Sequence, residues 1–423
     1  MVNQSKRFNK KQLKRCMQPL TGLIPKITIN SKYRPLGTFK SRYLYLYGGR
    51  GSGKSFAVSL YLAQLTYQKG HKILFTRYTL ATANKSIIPE FQEKLKIGGI
   101  ESHFNITKTS IVNKKTGSEI IFAGIKTSSG NQTASLKSLQ GITTWVYEEF
   151  EEHPDEQSFD SIDLSIRSKD KQNRIILVSN ALHKESWQYK RFFDNENDIE
   201  FIYTSYKDNI RNLNENFLQK AEREKEINLA KYNKNFLGLH YQDDENSLWK
   251  WDHIVKRSID PNKLDRIVVA VDPAVTSGKN SDETGIIVCG KVGSEGYVLE
   301  DRSGIYTPNE WSQIIISLYN KWKADRVIGE VNQGGDMIEA ILRTTNKTVS
   351  YKAVRASRGK TTRAEPILSL YEQGMIYHAG NFADLELQMT TWNPNKGRSP
   401  DRIDALVWGF TELLLQKTSG WVI

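Results

Sequence analysis

No acidic residue occurs in the first 89 positions of this 423-residue chain; the first is Glu90. Seventeen Lys and Arg stand in that stretch, whereas the remainder holds slightly more acid than base. A one-sign excess confined in this way points to a polyanionic partner, and nucleic acid is the commonest one. Cysteine is nearly absent. Cys16 and Cys289 exclude a disulfide framework or a thiolate metal cage, and both fit a reducing compartment. No run approaches the ~20 apolar residues of a bilayer crossing. The basic N-terminus lacks the apolar segment of a secretory signal, so export is not expected. The seven histidines are scattered, with no pair at metal-ligand spacing, and no internal repeat or low-complexity segment occurs. With 38% hydrophobic and 25% charged residues, the chain reads as a folded globular protein long enough for two domains.

The pattern divides the chain into four parts. Residues 1–42 have little periodicity and read as a basic arm or small cap. Residues 43–198 alternate short apolar runs with helical or polar segments: Tyr43–Tyr47, Ile73–Thr76, Ile120–Phe122, Thr144–Tyr147 and Ile175–Ser179. That alternation predicts an α/β fold on a parallel sheet. Residues 199–255 turn polar and helical and read as a connecting subdomain. Residues 256–423 open with three antiparallel-looking strands, including Ile267–Val271 and Thr284–Cys289. Helices then alternate with strands, which predicts a mixed-sheet α/β domain.

Two constellations carry chemistry. Gly48-Gly49-Arg50-Gly51-Ser52-Gly53-Lys54-Ser55 follows a strand and opens a helix, the setting of a phosphate-binding loop. Its glycines let backbone N–H groups wrap phosphates, Lys54 would reach the β/γ-phosphates, and Ser55 would ligate Mg²⁺. The run Ile142–Tyr147 closes with Glu148-Glu149. Glu148 is expected in the Mg²⁺ shell, where Asp is the commoner residue, and Glu149 is expected to polarise the attacking water. Ser179-Asn180, at the end of a later strand, is expected to sense the γ-phosphate. Arg50 would stabilise transition-state charge; Arg77 and Arg167 are candidates for an arginine acting across a subunit boundary. Glu151 and Glu152 follow immediately, so the competing reading of the Glu148-Glu149 run is a solvated acidic helix start.

The second constellation is acidic. Asp272 and Glu330 each terminate an apolar run, and Asp401 and Asp404, three residues apart, share one helical face. Oxygen donors from two strand ends and one helix suit two Mg²⁺ or Mn²⁺ ions of the kind that cleave phosphodiesters. Asp282 and Asp336 are lesser candidates.

These residues resemble the large terminase subunit of tailed bacteriophages, the motor that packages DNA into a procapsid. Besides the phosphate loop, the resemblance rests on Trp145-Val146-Tyr147-Glu148-Glu149, Ser179-Asn180 and Tyr206-Lys207-Asp208-Asn209. It is most specific in Arg358-Gly359-Lys360, Arg363-Ala364-Glu365-Pro366, Leu370–Gly374 and Ser399–Trp408. The resemblance implies an additional-strand, RecA-like P-loop ATPase domain followed by a ribonuclease H-like nuclease domain. Asp272, Glu330 and Asp404 would be the nuclease metal ligands with Asp401 alongside, and Lys360 and Arg363 would lie on the DNA side. It also implies ATP, Mg²⁺ at the ATPase site and two Mg²⁺ or Mn²⁺ at the nuclease site. Double-stranded viral DNA, a small terminase subunit and the portal would be partners. The chain would work in the host cytoplasm, as a monomer in isolation and a ring on the portal. No long portal-binding tail is expected beyond the last helix. The competing expectations are a P-loop helicase or repair ATPase with a DNA-binding C-terminal half, and a non-catalytic DNA-docking assembly protein.

Overall fold

The computed structural model describes residues 29–79, 87–127, 130–131, 140–169, 171–273, 283–331, 336–356, 359–394 and 400–415. The chain forms two compact units, Met1–Tyr241 and Gln242–Ile423. Among the described residues, no helix is long and apolar enough to cross a membrane.

Unit 1 is built on a nine-stranded sheet. Its strands are β1 (Tyr43–Gly48), β2 (Lys72–Thr79), β3 (Phe104–Ile106), β4 (Ser110–Asn113), β5 (Glu119–Thr127), β6 (Gly130–Asn131), β7 (Thr144–Glu148), β8 (Arg174–Ser179) and β9 (Ile199–Thr204). Their order is β3-β4-β5-β2-β7-β8-β1-β9, with β6 pairing β5. The stretch from β5 to β9 is parallel throughout. Parallel strands are covered on both faces and so read as continuous apolar runs; every residue of β7 is buried. Helices α1 (Lys54–Leu65), α2 (Ile88–Ile97), α3 (Glu156–Asp163) and α4 (Glu215–Ile227) follow the loops of this unit. One face of the sheet packs Leu44, Leu46, Ile73, Phe75, Val146 and Ile176 against α1 and α2. The other packs Tyr45, Trp145, Tyr147, Phe150 and Phe159.

Two parts of the chain join this core contrary to their composition. Ser31–Gly37 forms a 3₁₀ turn, and Tyr33, Leu36 and Phe39 enter the first hydrophobic cluster. The end of the basic arm is therefore core. Ile199–Thr204, placed by composition in a separate helical connector, is strand β9, hydrogen-bonded along the whole of β1. Its mixed burial hides it from a search for apolar runs, and the boundary between the units falls after Tyr241.

Unit 2 holds a seven-stranded mixed sheet: β10 (Val255–Lys256), β11 (Arg266–Asp272), β12 (Gly285–Val292), β13 (Glu295–Asp301), β14 (Arg326–Glu330), β15 (Tyr351–Val354) and β16 (Ile376–His378). The order is β10-β16-β13-β12-β11-β14-β15. The expected antiparallel trio is β11-β12-β13, and β14 joins β11 in parallel. Helices α5 (Pro308–Trp322), α6 (Asp336–Thr345), α7 (Lys360–Glu372), α8 (Ala383–Thr391) and α9 (Asp401–Phe410) complete it. Helix α9 is buried along its whole length. A Cβ on Gly285 would lie 2.0 Å from the Asp401 carbonyl oxygen, and one on Gly409 would lie 2.7 Å from Cys289 Sγ. Those two glycines let α9 lie directly on the sheet.

One buried polar chain in unit 2 yields a stability prediction. Glu386 lies 3.1 Å from His378 Nδ1 and 3.2 Å from Lys256 Nζ, and it accepts from the Phe382 N–H at 3.2 Å. Burial by itself would raise this carboxyl; Lys256, His378 and the Phe382 N–H outweigh it and hold it at about 2. A depressed carboxyl contributes stability that is complete above its ordinary 4.5 and is lost as pH falls toward about 2. Glu386→Gln is expected to cost about 3 kcal/mol at neutral pH, the scale for breaking a buried pair. It should also flatten the acid limb between those pH values. Urea unfolding of both proteins from pH 7 to pH 3 checks this, and equal midpoints would refute it.

Candidate functional site

The phosphate loop is shaped by what surrounds it. A Cβ on Gly48 would stand 1.7 Å from the Thr204 carbonyl oxygen, and one on Gly49 would stand 1.9 Å from that of Phe236. Any side chain at either position must push backbone aside. The loop is also tied from outside: Arg50 N–H donates to Asn235 O at 2.7 Å, Asn209 Nδ2 to Gly51 O at 2.9 Å, and the Tyr33 hydroxyl to Ser52 O at 3.0 Å. Gly53, with φ 90, starts α1 with no side-chain cap and no acid in the first turn. The N–H groups of that helix start remain open to an anion. Gly49→Ala is therefore expected to weaken ADP binding at least tenfold. Calorimetric titration would show this, and affinity within twofold of the parent would contradict the packing argument.

The loop opens on a cleft of about 300 Å³ lined by Arg50, Lys54, Ser55, Arg77, Glu90, Glu148, Glu149, Glu151, Ser179 and Asn180 among others. Sequence-selected residues from three segments thus meet in one place. Lys54 Nζ donates to Gly48 O at 2.7 Å and Gly49 O at 3.0 Å, and burial lowers its pKa to about 8. Arg77, on β2 beside β7, donates from Nε and Nη2 to Glu148 Oε2 at 2.9 and 2.6 Å. Its Nη1 lies 3.5 Å from Glu149 Oε1. Glu148 Oε1 is buried with no hydrogen-bond partner among the described residues, so one lone-pair face remains for a cation shell. That donor chemistry, next to Ser55, fits Mg²⁺.

Glu149 adopts φ 59, a left-handed conformation that costs a non-glycine residue about 1 kcal/mol or more. Burial raises its carboxyl pKa, Arg77 opposes the rise, and Glu151 and Glu148 add to it. The turn also redirects the chain. Glu151, not singled out as a site residue from sequence, is lodged inside the cleft, where Asn180 Nδ2 donates to its Oε1 at 2.5 Å. Asn180 is thus engaged with an acid, and Ser179 Oγ donates to the Asn180 carbonyl at 2.8 Å. Arg77, a candidate to act in a neighbouring subunit, points into its own chain's cleft. Arg50 and Arg167 are exposed.

In unit 2 the register Val271↔Gly329 sets Asp272 and Glu330 side by side at the ends of two parallel strands. Helix α9 brings Asp401 and Asp404 to the same place, and all four carboxylates are buried. Burial lifts the Asp272 pKa well above the usual carboxylate range, and Asp404, Glu330 and Asp401 push it further. Burial likewise raises Asp404, against the pull of Lys360 and Arg363. The two cations sit within the cluster. Lys360 Nζ pairs with Asp404 Oδ2; Arg363 lies 3.2 Å from Glu330 Oε2 and 3.6 Å from Asp404 Oδ1. Arg363, expected to face DNA, is only 11% exposed and lies 4.7 Å over the Trp408 ring, whereas Lys360 is 40% exposed. Trp408 Nε1 donates to Glu330 Oε2 at 2.7 Å. With those cations in place, no three acidic, histidine or cysteine side chains among the described residues form a ready-made metal cage. The all-oxygen donor set still fits hard divalent ions. Asp282 and the Asp336 side chain lie outside the described residues.

Comparison with known proteins separates the same two units. Residues 40–239 match the family model described as phage terminase large subunit, and residues 269–413 match the terminase RNaseH-like domain. The PBSX phage terminase large subunit of Bacillus subtilis (strain 168) is 25% identical over 165 residues, which span 39% of this chain and 37% of that relative's length. The large terminase of a thermophilic bacteriophage is similar in structure, at 14% identity and TM-score 0.46, covering 93% of this chain and 100% of that one. The HK97 bacteriophage large terminase is similar at 10% identity and TM-score 0.42, covering 94% and 98%. The fold is therefore a P-loop ATPase domain of the terminase type followed by a ribonuclease H-like domain. With both matches in chain order and together spanning most of its length, the chain belongs to the phage terminase large subunits.

Proposed function

We propose that this chain is a viral DNA-packaging motor: unit 1 hydrolyses ATP to move double-stranded DNA into a procapsid, and unit 2 cuts concatemeric DNA when packaging starts and ends. The observation that carries this reading is one polypeptide with two unlike phosphoryl centres. One is a braced phosphate loop facing paired acids; the other is a buried four-carboxylate cluster.

In unit 1, Lys54 exchanges its loop carbonyls for the β/γ-phosphates, and the backbone from Gly51 to Lys54 supplies N–H donors, those of Gly49 and Arg50 being bonded to Thr204 O and Asn235 O. Ser55 and Glu148 would hold Mg²⁺, which supplies charge neutralisation at the transferred phosphoryl group. Glu149 polarises the attacking water, Arg77 fixes both acids, and Arg50 meets transition-state charge from the loop. Ser179 and Asn180 sense the γ-phosphate through Glu151. In unit 2, Asp272, Glu330 and Asp404, with Asp401 beside them, would hold two Mg²⁺ or Mn²⁺ ions, which stabilise attacking and leaving oxygens. Lys360 is exposed enough to trade Asp404 for a backbone phosphate, while Arg363 positions Glu330 and Asp404. Viral duplex DNA, a small terminase subunit and the portal are the partners, in the host cytoplasm. The chain acts as a ring on the portal and is a monomer when isolated.

The reading is tested by mixing the purified chain with procapsids, linear duplex DNA and ATP, then adding DNase. ATP-dependent protection that Lys54→Ala abolishes is the expected result. Normal ATP hydrolysis with no protected DNA would count against it.

A further inference from the structure

The parallel strands of unit 1 start at one edge of the sheet and deliver the phosphate loop at the other. Their starts are aligned by backbone bonds from Thr143 N–H to Lys72 O, Arg174 N–H to Thr143 O and Ile175 N–H to Arg42 O. Strand β1 has six residues, so the two edges stand about 20 Å apart.

Six cations gather along the starting edge: Lys40, Lys69, Arg167, Lys169, Lys171 and Arg174. The first five are exposed and Arg174 is half-buried. Their grouping follows from contacts. Gln172 Nε2 donates to Lys40 O at 2.8 Å, and Arg174 Nη2 donates to Gln172 Oε1 at 2.8 Å. Lys171 Cε lies 3.5 Å from where a Cβ on Gly70 would stand, next to Lys69. Arg42 Nη2 reaches Ile166 O, which brings the neighbouring Arg167 to the same edge. Asn173 closes the loop that carries these cations, accepting from Ser168 N–H at 2.8 Å and donating to Ser168 O at 3.0 Å.

Most acids nearby are already engaged; Asp198, whose carbonyl accepts from Tyr43 N–H at this edge, is exposed. Asp163 pairs with Arg42 at 2.6 Å, and Glu119 lies 3.7 Å from Lys72. Glu200 accepts from the Lys40 and Ser41 N–H groups and from the Ser41 hydroxyl; Asp170 lies outside the described residues. Among the described residues, none of the six cations has a carboxylate at ion-pair distance. His71, on the same edge, is held at about 4 by burial and by the fields of Lys171 and Arg174, which agrees with a locally positive potential. The ring beneath Arg174, that of Phe39, is buried and offers no stacking platform for unpaired bases.

We propose that this edge of unit 1, opposite the nucleotide cleft, seats the phosphate backbone of duplex nucleic acid without reading its sequence. The inference rests on the packaging reading and adds to it where the duplex meets the ATPase unit. Flexible lysines on a short pinned loop suit phosphates along a groove, and binding driven by them must be steeply salt-dependent.

The test is fluorescence anisotropy of a labelled 30-base-pair duplex titrated with the full chain from about 50 to 200 mM salt. The K69E/K169E/K171E variant is compared with K184E/K220E/K225E, which carries the same charge change on exposed lysines elsewhere in unit 1. The edge variant is expected to lose at least tenfold in affinity at about 100 mM salt. Its log–log salt slope should be shallower by about three, near one for each phosphate no longer neutralised, and its ATPase activity without DNA should be unchanged. The control variant should stay within threefold of the parent. Equal losses in both variants would reduce the effect to net charge and overturn the proposal, as would an edge variant that binds like the parent. A parent chain that hydrolyses ATP yet binds no duplex would sink the packaging reading itself.

Discussion

Glu149→Gln is expected to lower kcat for ATP hydrolysis by about a thousandfold, while ADP affinity stays within about threefold; general-base and water-positioning groups contribute on this scale. Glu149 stands at φ 59, and a strained conformation persists where its surroundings over-determine it. Here Phe150, fully buried, anchors the next residue, and Arg77 lies 3.5 Å from the Glu149 carboxylate. Gln keeps the size and the turn but cannot accept a proton or hold a water as a carboxylate does. Arg77→Ala serves as the companion variant. It frees both acids at once, so it should lower kcat and also weaken the Mg²⁺ dependence, a pattern that loss of Glu149 alone does not produce. Single-turnover hydrolysis with calorimetric ADP binding separates the two. A Glu149→Gln protein that turns over normally would remove this residue from the mechanism.

Asp272→Asn is expected to abolish cleavage of closed circular plasmid in Mn²⁺, at least a thousandfold, and to leave ATP hydrolysis unchanged. Asp272 is buried beside three other carboxylates. Such a cluster is costly without cations, because each charge is both desolvated and repelled. Asn removes one charge from that cluster, so the variant should melt at the same temperature as the parent or higher in chelator. A lower melting temperature together with lost cleavage would indicate a structural role instead. The pairing of a lost activity with retained stability is expected where charge is held together for function.

How much of this was legible in the sequence depends on whether the signal is local. The phosphate loop lies within eight consecutive residues, and Asp272 and Glu330 each end an apolar strand, so their positions follow from pattern alone. Asp401 and Asp404 fall on one face because they are three apart in a helix. That these four meet was expected from their places at two strand ends and on one helix face, and from the resemblance. The structure brings them together through the parallel pairing of β11 with β14, a register that no short segment encodes. Arg77 was visible only as a candidate for an arginine acting across a subunit boundary. Its contact with Glu148 depends on β2 lying next to β7, neighbours in the sheet but 71 positions apart along the chain. Glu151 was not singled out because it follows two acids in one acidic run, and the left-handed turn at Glu149 carries it into the cleft. Strand β9 was hidden by Glu200 and the exposed Phe201. The basic edge was hidden because its residues come from three separated segments.

Unit 2 is proposed to gather divalent cations around a scissile phosphate at Asp272, Glu330 and Asp404. Anomalous diffraction from crystals soaked in Mn²⁺ tests it most directly. Two peaks about 4 Å apart, with Lys360 swung away from Asp404, are the predicted result. A density map with Lys360 and Arg363 still seated on the carboxylates and no anomalous peak at saturating Mn²⁺ would contradict it.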